Sequence, residues 1–207
     1  MTTWLHEQRL EAVRAEVLEA GARSVLDLGC GDGDLFVRLA AAPELRRLVG
    51  IDICAASLER LRGRLARLTV RAVEVDLRRA SMIAADPALK GFDCAVLIET
   101  IEHIDPAHLS RLEQAVFGQM RPGTVIITTP NAEFNPLLGV PAHRFRHPDH
   151  RFEWPRARFR TWGQRVAGTW GYAVRFRDVA GNHPDLGGAS QMAVFCTHPR
   201  NSDQTVA

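Results

Sequence analysis

The stretch Glu99-Thr-Ile-Glu102-His103 places two carboxylates and an imidazole within five residues, directly after an apolar run. Wound as a helical turn, the three side chains lie at i, i+3 and i+4 and share one face. Such a set can hold a divalent cation. Mixed oxygen and nitrogen ligands suit Mn²⁺, Fe²⁺, Co²⁺ or Zn²⁺ better than a pure oxygen site for Mg²⁺. The competing reading is a solvated first turn whose acids are favoured by the helix dipole. Three ligands usually want a fourth. His143, His147 and His150, in His143-Arg-Phe-Arg-His147-Pro-Asp-His150, are the candidates.

A second constellation is Val25-Leu-Asp27-Leu-Gly29-Cys-Gly31-Asp32-Gly33, an apolar strand opening into a glycine-rich turn. Glycine lets the backbone approach a ligand closely. The turn lacks the Gly-Lys-Ser/Thr ending of a P-loop. Asp27 and Asp32 would repel a pyrophosphate but suit a cationic ligand such as a sulfonium amino acid. Asp52 ends the next apolar run, 21 residues after Gly31, where an acid can accept both hydroxyls of a ribose. Asp76, after a third run, could face an adenine amino group; the bland alternative is a turn residue.

The elements that must position these groups alternate in type. Helices are expected at 5–20, 35–42, 57–68, 106–120 and 161–170, and strands at 24–28, 48–53, 70–75, 92–98 and 125–129. Residues 173–177 and 191–197 read as a closing antiparallel pair. The segment 130–160 is irregular and rich in His, Arg and aromatic residues. Alternating strands and helices predict an α/β fold with a mostly parallel, seven-stranded sheet flanked by helices, and a ligand site beyond the carboxyl ends of the strands. Both constellations fall at such ends.

Composition narrows the class. The chain has 207 residues, 46% hydrophobic and 24% charged, enough for one domain with a full core. No apolar run is long enough to span a bilayer, and 1–21 lacks the core of a signal peptide. Cys30, Cys54, Cys94 and Cys196 show no framework spacing, so reduced thiols and a cytoplasmic location are expected. The net charge of +2 does not by itself point to a nucleic acid. Lys90 is the only lysine; a GC-rich genome explains the arginine bias, although arginine also suits bidentate phosphate contact.

The glycine turn with its acids looks like the cofactor site of the Rossmann-like class I S-adenosylmethionine-dependent methyltransferases. Glu99-x-x-Glu102-His103 together with Asp149-His150-Arg-Phe-Glu-Trp154 further resembles the Hua-enhancer family of RNA 3′-terminal 2′-O-methyltransferases. The resemblance extends through Glu7-Gln-Arg-Leu-Glu11, Thr129-Pro-Asn-x-Glu-Phe-Asn135 and Gln191-Met-Ala-Val-Phe195. It implies that S-adenosylmethionine binds at Asp27, Gly29, Gly31, Asp32, Asp52 and Asp76. It implies that Glu99, Glu102, His103 and His150 hold one divalent cation, Mn²⁺ or Mg²⁺ with Co²⁺ as a further option, and carry the catalysis. His150 is chosen over His147 because the family motif places it there; a nearby histidine would take the hydroxyl proton. The partner implied is a single-stranded RNA 3′ end, from a small RNA or a cleaved RNA.

Around these histidines, Arg144, Arg146, Arg151, Arg156, Arg158 and Arg160 alternate with Phe145, Phe152, Trp154, Phe159 and Trp162. Arginines can grip phosphates and aromatics can stack an unpaired base. Arg144, Arg146, His147 and Arg151 are the RNA-binding set expected; Trp154 and Phe159 read as packing. Residues 1–198 are assigned to the methyltransferase domain, with 130–160 as its substrate- and metal-binding insertion and 199–207 as a flexible tail. Bacterial members of the family often carry a further N-terminal domain that works with an RNA repair kinase-phosphatase-ligase. Here the methyltransferase domain starts almost at once, so a stand-alone protein or a fragment is expected. The rival readings are a small-molecule methyltransferase without a catalytic metal, and an RNA-end-binding module without activity.

Overall fold

The computed structural model describes residues 3–72, 74–84 and 86–197; the tail assigned to 199–207 lies outside them. Seven strands form one sheet in the order β3-β2-β1-β4-β5-β7-β6. They are β1 (Ser24–Leu28), β2 (Arg47–Asp52), β3 (Glu74–Arg79), β4 (Cys94–Ile98), β5 (Thr124–Pro130), β6 (Ala173–Val179) and β7 (Ser190–Cys196). The first five pair in parallel, and β7 runs antiparallel between β5 and β6. This is the expected class I methyltransferase architecture. Strand order reverses between β1 and β4, which opens a crevice above their carboxyl ends.

Helices cover both faces. α1 (Trp4–Glu19) buries Leu10, Val13 and Val17 against one face, beside Phe36 and Leu39 of α2 (Phe36–Ala40) and Leu58 and Leu61 of α3 (Ala55–Leu65). Spacings of three and four put such residues on one stripe. Each contributes on the order of 2 kcal/mol by leaving water. Thr3 starts α1 by accepting a hydrogen bond from the His6 N–H at 3.3 Å. On the other face lie Leu109 and Leu112 of α4 (Leu109–Glu113) and Phe159, Trp162 and Val166 of α5 (Arg156–Trp170).

Three elements depart from the sequence reading. β3 spans 74–79 rather than 70–75. Arg71 and Ala72 instead donate to the Ala40 carbonyl at 2.8 and 3.2 Å, and β2 sets the register of β3 from Glu74 onward. The helix expected at 106–120 opens as a tight 3₁₀ turn capped by Asp105 and finishes as a π-helix over Gln114–Met120. α5 begins at Arg156, five residues before Thr161, because Pro155 fixes the start of its first turn. No disulfide joins the four cysteines. No helix among the described residues is long and apolar enough to cross a membrane.

Candidate active site

A cavity of about 650 Å³ opens over the carboxyl ends of β1, β2, β3 and β4. Asp27, on β1, lines it and is only 3% exposed. Burial, and then the charge of Asp52, push its carboxyl up to about 7. The turn after β1 is shaped by glycines at positive φ. Gly29 sits at φ +84°, and a Cβ there would lie 2.3 Å from the Thr100 methyl group. The Asp52 carboxylate accepts from the Gly31 N–H at 2.8 Å and the Cys54 N–H at 2.7 Å, which ties the turn to the end of β2. Asp27, Gly29, Gly31 and Asp52 are therefore brought together.

Two expected cofactor residues are not. Asp32 points outward into a two-pronged ion pair with Arg60, at 2.9 and 2.8 Å, and Asp34 lines the cavity instead. Asp76 lies inside β3, opposite Val49, and pairs with Arg78 at 2.6 Å. The later start of β3 moves its carboxyl end to Arg79, so Ala80, Ser81 and Met82 line the cavity where Asp76 was expected. The sequence reading also gave no role to His6 and Arg9 of α1, which line the cavity. For Arg9 the signal was the Glu7–Glu11 match; His6 lies just outside it and had none.

The second cluster forms at the ends of β4 and β5. Glu99 does not enter a helical turn; only Ile101–His103 wind, as a 3₁₀ turn. Glu99 takes φ +51°, and its N–H donates to the Thr128 carbonyl at 3.1 Å and the Thr128 hydroxyl at 3.2 Å. A non-glycine residue in this region costs about 1–3 kcal/mol, and such strain gathers at functional sites. Glu102 is fully buried. Its Oε2 accepts from the Thr129 hydroxyl at 3.0 Å, whereas Oε1 is buried without a partner, as is Oε1 of Glu99. Burial first, and the Glu99 charge second, raise the Glu102 carboxyl well above the usual range.

His103, His147 and His150 meet beside this turn, with one nitrogen of each within 4.8 Å of the others. The Arg151 N–H donates to the Glu102 carbonyl at 2.7 Å and pins the histidine segment there. Burial, then His150 and His147, hold the His103 imidazole below its ordinary range, so it is neutral at pH 7. His150 Nδ1 bonds Glu153 Oε1 at 2.6 Å. Burial works to raise the Glu153 carboxyl, but bonds from His150, Asn135 and the Arg146 N–H outweigh it and hold it low. The ionised acid fixes the proton on Nδ1 and leaves the Nε2 lone pair for a cation. His147 differs: its Nδ1 accepts the Asp149 N–H at 3.2 Å, so the hydrogen sits on Nε2, which presents a donor. Replacing Glu153 with alanine should weaken Mn²⁺ binding about 10- to 100-fold, with a smaller loss for glutamine, as read by titration of the Mn²⁺ resonance signal.

The RNA-facing expectations divide. Arg144 is exposed, and Phe145 is 47% exposed. Arg146 is corrected to a structural role. Its guanidinium donates to Asn135 Oδ1 and the Ala189 carbonyl, each at 2.6 Å, and to the Asn131 carbonyl, so all three of its nitrogens hold the loop. Arg156 pairs with Glu133, and Arg158 and Arg160 lie over Trp154 and Phe176. Trp154 and Phe159 are buried, as expected of packing residues.

A sequence profile described as a methyltransferase domain matches residues 25–123. A small RNA 2′-O-methyltransferase of Gallus gallus is 39% identical over 203 residues, covering 92% of this chain and 53% of that protein. The chain thus spans about half the length of the curated relatives it matches. The crystal structure of the methyltransferase domain of bacterial CtHen1-C is 38% identical, with a TM-score of 0.83, over 93% of this chain and 98% of that one. The chain belongs to the Hen1 methyltransferase family. A chain of a Pnkp1/Rnl/Hen1 RNA repair complex shares the fold with a TM-score of 0.68 at 20% identity, over 95% of this chain and 42% of that one. In this Hen1 domain the residues of the two family motifs converge on one edge of the sheet, and Glu153, within the second motif, orients His150.

Proposed function

We propose that this Hen1 domain transfers the methyl group of S-adenosylmethionine to the 2′-hydroxyl of the 3′-terminal nucleotide of an RNA strand. Glu99, Glu102, His103 and His150 would hold a divalent cation, Mn²⁺ or Mg²⁺. The observation that carries the reading is the pair of buried, unpartnered oxygens on Glu99 and Glu102, in the segment that leads directly into His103 of the histidine cluster. Buried carboxylate oxygens without donors are costly, and a cation satisfies both.

When bound, the cation supplies Lewis acidity that lowers the pKa of a hydroxyl oxygen. The chain's own groups do the rest. Glu153 fixes the lone pair of His150 toward the cation, and Thr129 orients Glu102. His103 would give its one lone pair to the cation, so the 2′-hydroxyl proton would pass to solvent water rather than to His103. His147 offers an N–H to a substrate oxygen. The 2′-hydroxyl oxygen attacks the methyl carbon in line as the carbon–sulfur bond breaks, with Asp27 beside the cationic end of the cofactor. A site that recognises both terminal hydroxyls rejects DNA, which lacks the 2′-OH. Arg144 and Arg151 would contact phosphates. A cleaved RNA end is one source of substrate, and an RNA repair kinase-phosphatase-ligase is the partner we propose for that case.

The test uses tritiated S-adenosylmethionine, Mn²⁺ and a short single-stranded RNA, beside the same RNA with a 2′-deoxy 3′-terminal nucleotide, each with and without chelator. Label is expected only on the first RNA and only with metal. Equal labelling of both, or labelling that survives chelation, overturns the reading.

A further inference from the structure

A second cleft, of about 700 Å³, lies between α4 and α5. Small-ligand clefts run from about 300 to 1,000 Å³. Pro106 and Leu109 line it from the α4 side and Ala157 and Arg158 from the α5 side; the largely buried Trp154 and Trp162 complete the apolar lining. Glu113 is also there, but its charge is cancelled. It accepts from Trp162 Nε1 at 2.9 Å and from the two terminal nitrogens of Arg165 at 2.9 and 2.6 Å. The Arg158 guanidinium is left over. It lies 5.2 Å from the Trp154 ring centre and has no hydrogen-bond or ion-pair partner among the described residues. An apolar cleft with one unneutralised cation suits a flat group that carries an anion, which is what a nucleotide of a single strand offers.

The cleft begins where the histidine cluster ends. Trp154 directly follows Glu153, whose Oε1 holds His150 at 2.6 Å, and Pro106 stands three residues after His103. Three residues of chain span at most about 11 Å. A strand whose last ribose sits at the histidines therefore has its preceding nucleotide within reach of the cleft. We propose that the cleft receives the base of the nucleotide immediately 5′ to the one that is methylated, with Arg158 on a phosphate flanking that base. The proposal rests on the terminal 2′-O-methyltransferase reading and adds a second substrate position to it. Apolar contact, which every base can make, does the holding, so the position demands a base without choosing which one.

Three short RNAs test this with the whole chain: one intact, one abasic at the penultimate nucleotide, and one abasic at the third from the end. All keep the terminal 2′-hydroxyl. For the wild type the penultimate abasic residue should raise KM about 5- to 100-fold, the worth of one base held on an apolar platform, with kcat little changed. The third-position abasic residue should cost less than about twofold. Ala157→Leu fills the cleft from an exposed helix position with another good helix former. It should raise KM for the intact RNA and erase the difference between that RNA and the penultimate abasic one. Arg158→Gln should keep the base preference but flatten the slope of log affinity against log salt by about 0.7, the share of one single-strand phosphate, as read by fluorescence anisotropy. Equal wild-type KM for the intact and penultimate abasic RNAs, a preference that survives Ala157→Leu, or a salt slope unmoved by Arg158→Gln each overturns the assignment. A wild type that methylates no RNA end would instead remove the terminal-methylation reading, and the proposal with it.

Discussion

Replacing Glu102 with glutamine is expected to stabilise the cation-free protein while reducing methyl transfer on the order of 10³-fold. The two effects have one cause. Glu102 is fully buried, one of its oxygens has no partner, and its carboxyl is raised by burial and by Glu99. In the folded state the group holds its proton to higher pH than it does unfolded. Stability from it is therefore complete below the ordinary carboxylate range and is lost as pH rises toward its raised value. Glutamine has no charge to bury, so this loss disappears, and at neutral pH the melting temperature should rise by a few degrees, about 2–4 °C for each kcal/mol at this size. The same substitution would remove one proposed ligand of the cation, whose Lewis acidity would be worth several kcal/mol at the transition state. Scanning calorimetry settles the sign. Mn²⁺ should stabilise the wild type and leave the variant unmoved; a destabilised variant that still gains from Mn²⁺ would mean that Glu102 is a packing residue.

The second large effect concerns Asp27. Its carboxyl, raised to about 7 by burial and then by Asp52, is mostly protonated in the empty protein below neutrality. The ammonium of the cofactor's amino-acid end, which S-adenosylhomocysteine keeps after the sulfonium charge is gone, needs it ionised. Affinity for S-adenosylhomocysteine should therefore climb with pH, by up to tenfold per unit below about 7, and level off above about 8. Binding near pH 7 should release a proton, visible as a dependence of the calorimetric heat on the buffer's ionisation enthalpy. Asp27→Asn should flatten this profile and lower affinity by about 10- to 100-fold, the worth of a hydrogen bond to a charged group. The stability profile runs the other way. Without ligand, the contribution of Asp27 is lost as pH rises from the ordinary carboxylate range through 7, so the asparagine variant should melt higher than the wild type in alkaline buffer. A pH-independent affinity in the wild type would remove Asp27 from the cationic end of the ligand.

Much of this was legible in the chain. Strand–helix alternation gives the parallel sheet because each apolar run is too short for anything but a buried strand and each following segment carries a helical stripe, as Leu10, Val13 and Val17 do. The glycine turn is readable because only glycine tolerates the contact with Thr100 at position 29. His103 and His150 are readable as neighbours because two motifs, far apart in sequence, both follow strands that end on the same edge; that Glu99 and Glu102 join them on one cation is our proposal.

Tertiary structure decided how side chains were spent. Asp32, Asp34 and Asp76 look alike in sequence, yet the register of β3 and the reach of Arg60 and Arg78 leave only Asp34 in the cavity. Arg144 and Arg146 stand two residues apart, but backbone carbonyls around Asn131 and Ala189 consume only the second. Arg9 has no local signal of chemistry, and its meeting with Ser190 joins residues 181 positions apart. Local spacing fixes which face a residue takes within its own helix or strand. Which charges are cancelled and which are left buried and unpaired depends on partners that only the closed fold brings within hydrogen-bonding distance.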